Sequence, residues 1–79
     1  MPTFSESFSQ TLRQLRLAAG LSQQEIADRL HISRSAYTYY EIGRTQPTLE
    51  NLVRIAEILN QPIDALLPEA APNQKEKAS

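Results

Sequence analysis

Residues 32–44 read ISRSAYTYYEIGR, from Ile32 to Arg44, and this stretch contains every tyrosine of the chain. Tyr37, Tyr39 and Tyr40 are crowded between two arginines, Arg34 and Arg44. They form a stacking platform for bases, an outward surface or the inside of a helix, and a helical wheel separates these options. Ser33 is a natural N-cap and Gly43 a natural stop, so the segment reads as a short helix from Arg34 to about Ile42. At about 100° per residue, Arg34, Ser35, Thr38, Tyr39 and Ile42 share one side. Ala36, Tyr37 and Tyr40 share the other, with Glu41 at its edge. Tyr37 and Tyr40 are expected in the core, where a ring is buried and its hydroxyl still reaches a partner. Tyr39 is expected to look outward among polar neighbours. The platform loses two of its three members.

Working outward, each join carries turn chemistry. Phe8, Leu12, Leu15 and Ala19 fall on one face of a first helix, and Gly20 ends it. Ser22-Gln23-Gln24-Glu25 is a capping box opening a second helix with Ile26, Ala27 and Leu30 on its apolar side. His31-Ile32 makes a tight turn into Ser33. After Pro47, Thr48 caps a fourth helix whose apolar positions read as Leu49, Leu52, Val53, Ala56 and Leu59. Asn60 closes it in the left-handed conformation. Pro62 is placed as the first residue of a short fifth helix, Ile63 to Leu67, which Pro68 ends. The expected architecture is all-α, a compact five-helix bundle. Residues 1–6 are expected to be a flexible lead, 7–68 the folded domain and 69–79 a disordered tail.

Composition bounds the chemistry. At 79 residues with no cysteine, the chain has the length of one small domain and no thiolate staple or thiolate metal site. No apolar run approaches the roughly 20 residues of a membrane span, and the N-terminal PTFSESFSQ is unlike a secretory signal. A cytoplasmic location is expected. The net charge of −1 is unevenly spread. Between Ser7 and Pro47 five arginines face three acids, whereas from Thr48 onward three cations face five acids. That asymmetry permits a basic face on the first half. One histidine and no clustered carboxylates argue against an enzyme, and no metal or cofactor is expected.

Two short helices joined by His31-Ile32-Ser33, the second with a polar outer face, describe a helix-turn-helix. From Leu12 to Leu67 the chain resembles the lambda-repressor/Cro-like (XRE) family of DNA-binding domains. The resemblance is carried by Leu21-Ser22-Gln23, Ile26-Ala27, Ser33-Arg34-Ser35, Glu41-x-Gly43-Arg44, Pro47-Thr48-Leu49 and Asp64-Ala65-Leu66-Leu67, in that order and spacing. It implies a third helix lying in the DNA major groove. It also implies base-edge contacts from Arg34, Ser35, Thr38 and Tyr39, phosphate contacts from Gln23 and Arg44, and a structural ion pair between Arg16 and Glu41. Two positions depart from the family pattern: His31 stands where glycine is usual, and Ile42 where a polar residue is common.

The side-chain chemistry suits these implied roles. Arg34 can make a bidentate contact to guanine O6 and N7, discriminating by about 1–3 kcal/mol. Ser35 and Thr38 can donate or accept, and Tyr39 can bond a phosphate or lie against a base edge. The expected function is a sequence-specific regulator of transcription, a repressor, bound as a homodimer to a palindromic double-stranded operator. Ile63, Leu66 and Leu67 are expected first to seal the core against the first helix, and they and Ile58 are the candidates for the dimer contact. Two alternatives stand beside this reading. One is an antitoxin-type autorepressor. The other is a protein-interaction module with little DNA affinity, recognising a protein partner through the same face.

Overall fold

The computed structural model describes residues 3–67. They form four α-helices, α1 (Phe4–Ala18), α2 (Gln23–Leu30), α3 (Arg34–Glu41) and α4 (Leu49–Ile58), followed by a 3-10 helix, Ile63–Leu66. There is no strand among the described residues. The expected bundle class holds, with four α-helices where five helices were counted from sequence. The expected tail, 69–79, lies outside the described residues.

Capping explains where each helix begins. α1 starts at Phe4, inside the segment read from sequence as a flexible lead. There Thr3 and Glu6 form a capping box, with Glu6 N–H donating to Thr3 Oγ1 at 3.1 Å and Thr3 N–H to Glu6 Oε1 at 3.0 Å. Ser22 and Glu25 repeat the device at α2, at 3.0 and 2.8 Å. Ser33 and Thr48 cap α3 and α4 by accepting from the Ala36 and Asn51 amides. The turns follow their residues too. Gly20 and Gly43 sit at φ +76° and +77°, and His31 and Asn60 enter the same left-handed region at φ 60° and 56°. Asn tolerates that region better than most residues, and His does so to a lesser degree.

The last segment is 3-10 rather than α. Pro62 takes the N-cap position instead of the first helical one, and only four residues follow before the chain extends at Leu67. With so short a run, the backbone closes i to i−3 bonds, Ala65 N–H to Pro62 C=O at 2.9 Å and Leu67 N–H to Asp64 C=O at 3.1 Å.

The core gathers Phe8 and Leu12 of α1, Ile26, Ala27 and Leu30 of α2, Tyr37 and Tyr40 of α3, Ile55 and Ala56 of α4, Leu59 and Leu66. Tyr37 and Tyr40 meet edge to face, centroids 5.9 Å apart at 76°. α3 packs on α2 and α1, α4 on α2, and the 3-10 helix on α4 and α1. Leu66 thus seals the core, the first of its two expected roles, and is not free for a dimer contact.

α4 is rotated from its expected setting. Leu49 and Val53, read from sequence as core, are 73% and 40% exposed, whereas Ile55 is 0% exposed. Leu52, Ile55, Ala56 and Leu59 define the inward stripe, and Leu49 and Val53 lie one step around the helix from it. Both stripes obey the helical period, so periodicity alone does not choose between them. Ala19, assigned to the inner face of the first helix, is exposed because it is the C-cap of α1.

Candidate nucleic-acid interface

α2 and α3 are separated only by His31, Ile32 and Ser33. The left-handed His31 reverses the chain, and half-buried Ile32 packs on the core, fixing how α3 leaves the turn. With Tyr37, Tyr40 and Glu41 turned inward, Arg34, Ser35 and Tyr39 are exposed and Thr38 is half-buried. These four residues and Gln23 line a shallow surface cleft of about 330 Å³. So the N-terminus of α2 and the outer face of α3 make one surface.

Beneath that surface is a polar knot. Arg16, from α1, and Glu41, at the end of α3, form a buried ion pair 25 residues apart in sequence. Arg16 donates twice to Glu41, from Nε to Oε2 and from Nη2 to Oε1 at 3.1 Å. Its remaining guanidinium nitrogen donates to the Leu21 carbonyl at 2.9 Å, tying in the α1–α2 connection. Tyr37 Oη donates to Glu41 Oε2, and Gln23 Nε2 donates to Glu41 Oε1 at 3.0 Å. The carboxylate thus accepts four hydrogen bonds, which matches its lone-pair capacity. Burial pushes the Glu41 carboxyl up, but the bonds from Arg16, Tyr37 and Gln23 outweigh it and hold the group below the usual carboxylate range. The bond to Glu41 raises the Arg16 guanidinium further above its ordinary value. Burial, followed by the bond to Glu41, raises the Tyr37 phenol well above its ordinary range.

This knot decides what the surface can offer. One N–H of the Gln23 amide is committed to Glu41, which leaves the other to donate outward. Gln23 Oε1 faces Thr38 Oγ1 at 3.4 Å, so the two side chains adjoin. The Thr38 hydroxyl has one hydrogen, and its shorter contact is to the Arg34 carbonyl at 2.8 Å, one turn back. Thr38 therefore meets a ligand as an acceptor and a methyl group. Arg34 and Ser35 are exposed at the start of α3, where Arg34 has no carboxylate within ion-pair distance among the described residues. Arg44 lies beyond Gly43, its guanidinium carbon 4.9 Å from the centroid of the Tyr39 ring. That stacking has no signal in the wheel, because Gly43 bends the chain back onto the helix.

A helix-turn-helix family model matches residues 12–66, which includes the capping box, the turn, α3 and the closing 3-10 helix. The chain belongs to the helix-turn-helix family, of the lambda-repressor/Cro-like (XRE) type. Among its relatives is the uncharacterized HTH-type transcriptional regulator YqaE of Bacillus subtilis, 43% identical over 60 residues, covering 76% of this chain and 52% of the relative. The cryptic phage CTXphi transcriptional repressor RstR of Vibrio cholerae is 33% identical over 70 residues, covering 89% of this chain and 63% of the relative. This helix-turn-helix chain thus spans between about half and two thirds of these relatives' lengths. The crystal structure of the restriction-modification controller protein C.AhdI of Aeromonas hydrophila superposes with a TM-score of 0.74 at 34% identity, covering 78% of this chain and 94% of that one.

Proposed function

We propose that this helix-turn-helix chain binds a specific double-stranded DNA sequence and regulates transcription as a repressor, with α3 in the major groove. The observation that carries the reading is the continuous outer surface of Gln23, Arg34, Ser35, Thr38 and Tyr39, set on helices that the Glu41 knot fixes to one another. In this reading Arg34 forks onto a guanine, Ser35 and Thr38 meet neighbouring base edges, and Tyr39 stands at the rim. The free N–H of Gln23 and the guanidinium of Arg44 meet phosphates. The relatives' names as transcriptional regulators support this assignment. No helix among the described residues is long and apolar enough to cross a membrane.

A single module of this size buries about 600–1,000 Å² on DNA, too little for tight binding alone. We infer a homodimer on a palindromic site. Exposed Leu49 and Val53 support an antiparallel contact between two copies of α4. They lie beside Glu50 and Arg54, which pair within the helix at 3.2 Å.

The test is selection of bound duplexes from a random library, repeated with Arg34→Ala. The reading expects an inverted repeat, and relaxation by Arg34→Ala at one symmetric base pair. If no motif is enriched even at low salt, the DNA reading fails. The exposure of Ile42 (62%), together with Leu49 and Val53, then favours the second reading, a module that docks on another protein.

A further inference from the structure

Tyr39 and Arg44 are joined twice. The Tyr39 carbonyl accepts from the Arg44 N–H at 2.9 Å and from the Thr45 N–H at 3.4 Å, across the turn made by Gly43. Above that turn the Arg44 guanidinium carbon lies 4.9 Å from the Tyr39 ring centroid, within the range of a cation–π contact. Arg44 is exposed and has no carboxylate within ion-pair distance among the described residues. The positive charge therefore rests over the ring, with no carboxylate among the described residues competing for the guanidinium N–H groups. The ring is used on its face, at the boundary between the base-reading residues and the loop after α3.

We propose that Tyr39 is a positioning residue for Arg44: its aromatic face holds the guanidinium at the rim of the recognition surface, aimed at a phosphate of the DNA backbone beside the groove that α3 occupies. The proposal rests on the DNA-binding reading and deepens it. It assigns Tyr39's contribution to its ring rather than to its hydroxyl, and to affinity rather than to base choice. A long arginine side chain in a loop loses rotamer freedom when it contacts a phosphate. Stacking in the free protein removes part of that loss before DNA arrives.

The experiment is a salt titration of binding to the selected duplex by the full chain and by Tyr39→Phe, Tyr39→Leu, Arg44→Ala and the double variant Tyr39→Leu/Arg44→Ala. Thermal melts confirm that each variant is folded. Phe is expected to retain wild-type affinity and salt slope. Arg44→Ala is expected to reduce the slope of log K against log salt by about 0.9, the signature of one lost phosphate contact. Tyr39→Leu is expected to weaken binding about 2- to 5-fold with a slope between those of wild type and Arg44→Ala. The double variant should bind no more weakly than Arg44→Ala alone. If Phe binds as poorly as Leu, the hydroxyl is the contact and the proposal is overturned. Multiplicative losses in the double variant overturn it as well. Failure of the wild-type chain to bind any duplex at low salt overturns the DNA reading itself, a result separate from either of these.

Discussion

Gln23 and Glu41 lie 18 residues apart in sequence, and the amide of one donates to the carboxylate of the other at 3.0 Å across the α2–α3 contact. The same carboxylate neutralises Arg16 of α1. A single acidic group therefore sets the relative placement of three helices and the orientation of a side chain on the surface shared by α2 and α3. Loss of the group should be felt both in stability and at that surface.

Arg16→Ala leaves Glu41 buried without its counter-charge. Removing one partner of a buried pair costs about 3–5 kcal/mol. Urea denaturation is expected to show the midpoint falling with little change in slope. A loss below about 0.5 kcal/mol would mean that the pair is effectively solvated.

Acid should loosen the domain through the same group. The folded-state carboxyl of Glu41 is depressed, so its contribution is present above the ordinary carboxylate range and is lost as pH falls through that range toward the folded value. Glu25, lowered by its bonds to the Ser22 backbone and side chain, acts in the same direction at the start of α2. Melting temperature is expected to decline below about pH 4. Glu41→Gln should be less stable at neutral pH and show a flatter acid limb.

His31 occupies a left-handed conformation at φ 60° and ψ 40°. Such a conformation costs an ordinary residue roughly 1–2 kcal/mol, partly offset by the greater freedom that glycine brings to the unfolded chain. His31→Gly is therefore expected to stabilise the domain by up to about 1 kcal/mol in thermal or urea unfolding. Destabilisation would show that the imidazole makes a contact worth more than the strain.

The rotation of α4 yields a paired prediction. Leu49→Lys should change monomer stability by less than about 0.5 kcal/mol, as exposed positions do. Ile55→Ala, at a site with no exposure, should cost about 2–5 kcal/mol. On a palindromic duplex Leu49→Lys should instead reduce cooperative binding, read by sedimentation, if α4 is the twofold contact.

Much of this was legible in the residues. Ser22, Ser33 and Thr48 are short polar side chains ahead of helical runs, and caps of that kind act locally, so sequence alone places them. The wheel of α3 likewise separated Tyr39 from Tyr37 and Tyr40, because a helix this short has one clear inner stripe. Glu41 sat at the edge of the inner face on the wheel, and it was the family resemblance that paired it with Arg16; the structure buries the two together. Two features were not legible. The apolar residues of α4 fit two stripes, and only packing against α2 selects Ile55 over Leu49. Tyr39's contact with Arg44 depends on the fold of a loop. Thr3 and Glu6 were the exception: the capping box was present in the sequence and marks an earlier start for α1 than apolar spacing suggested.

α3 is an eight-residue helix whose inner face holds Tyr37, Tyr40 and Glu41 and whose outer face carries Arg34, Ser35, Thr38 and Tyr39. Arg34 and Ser35 are exposed and touch none of the inner set, so replacing them is separable from folding, whereas half-buried Thr38 adjoins Gln23 and through it Glu41. Most variants at Arg34 and Ser35 alone should still fold. Cut from its neighbours, a helix of two turns would not persist in water. The arrangement of its outer side chains is therefore portable only as a pattern written onto this scaffold, never as a peptide.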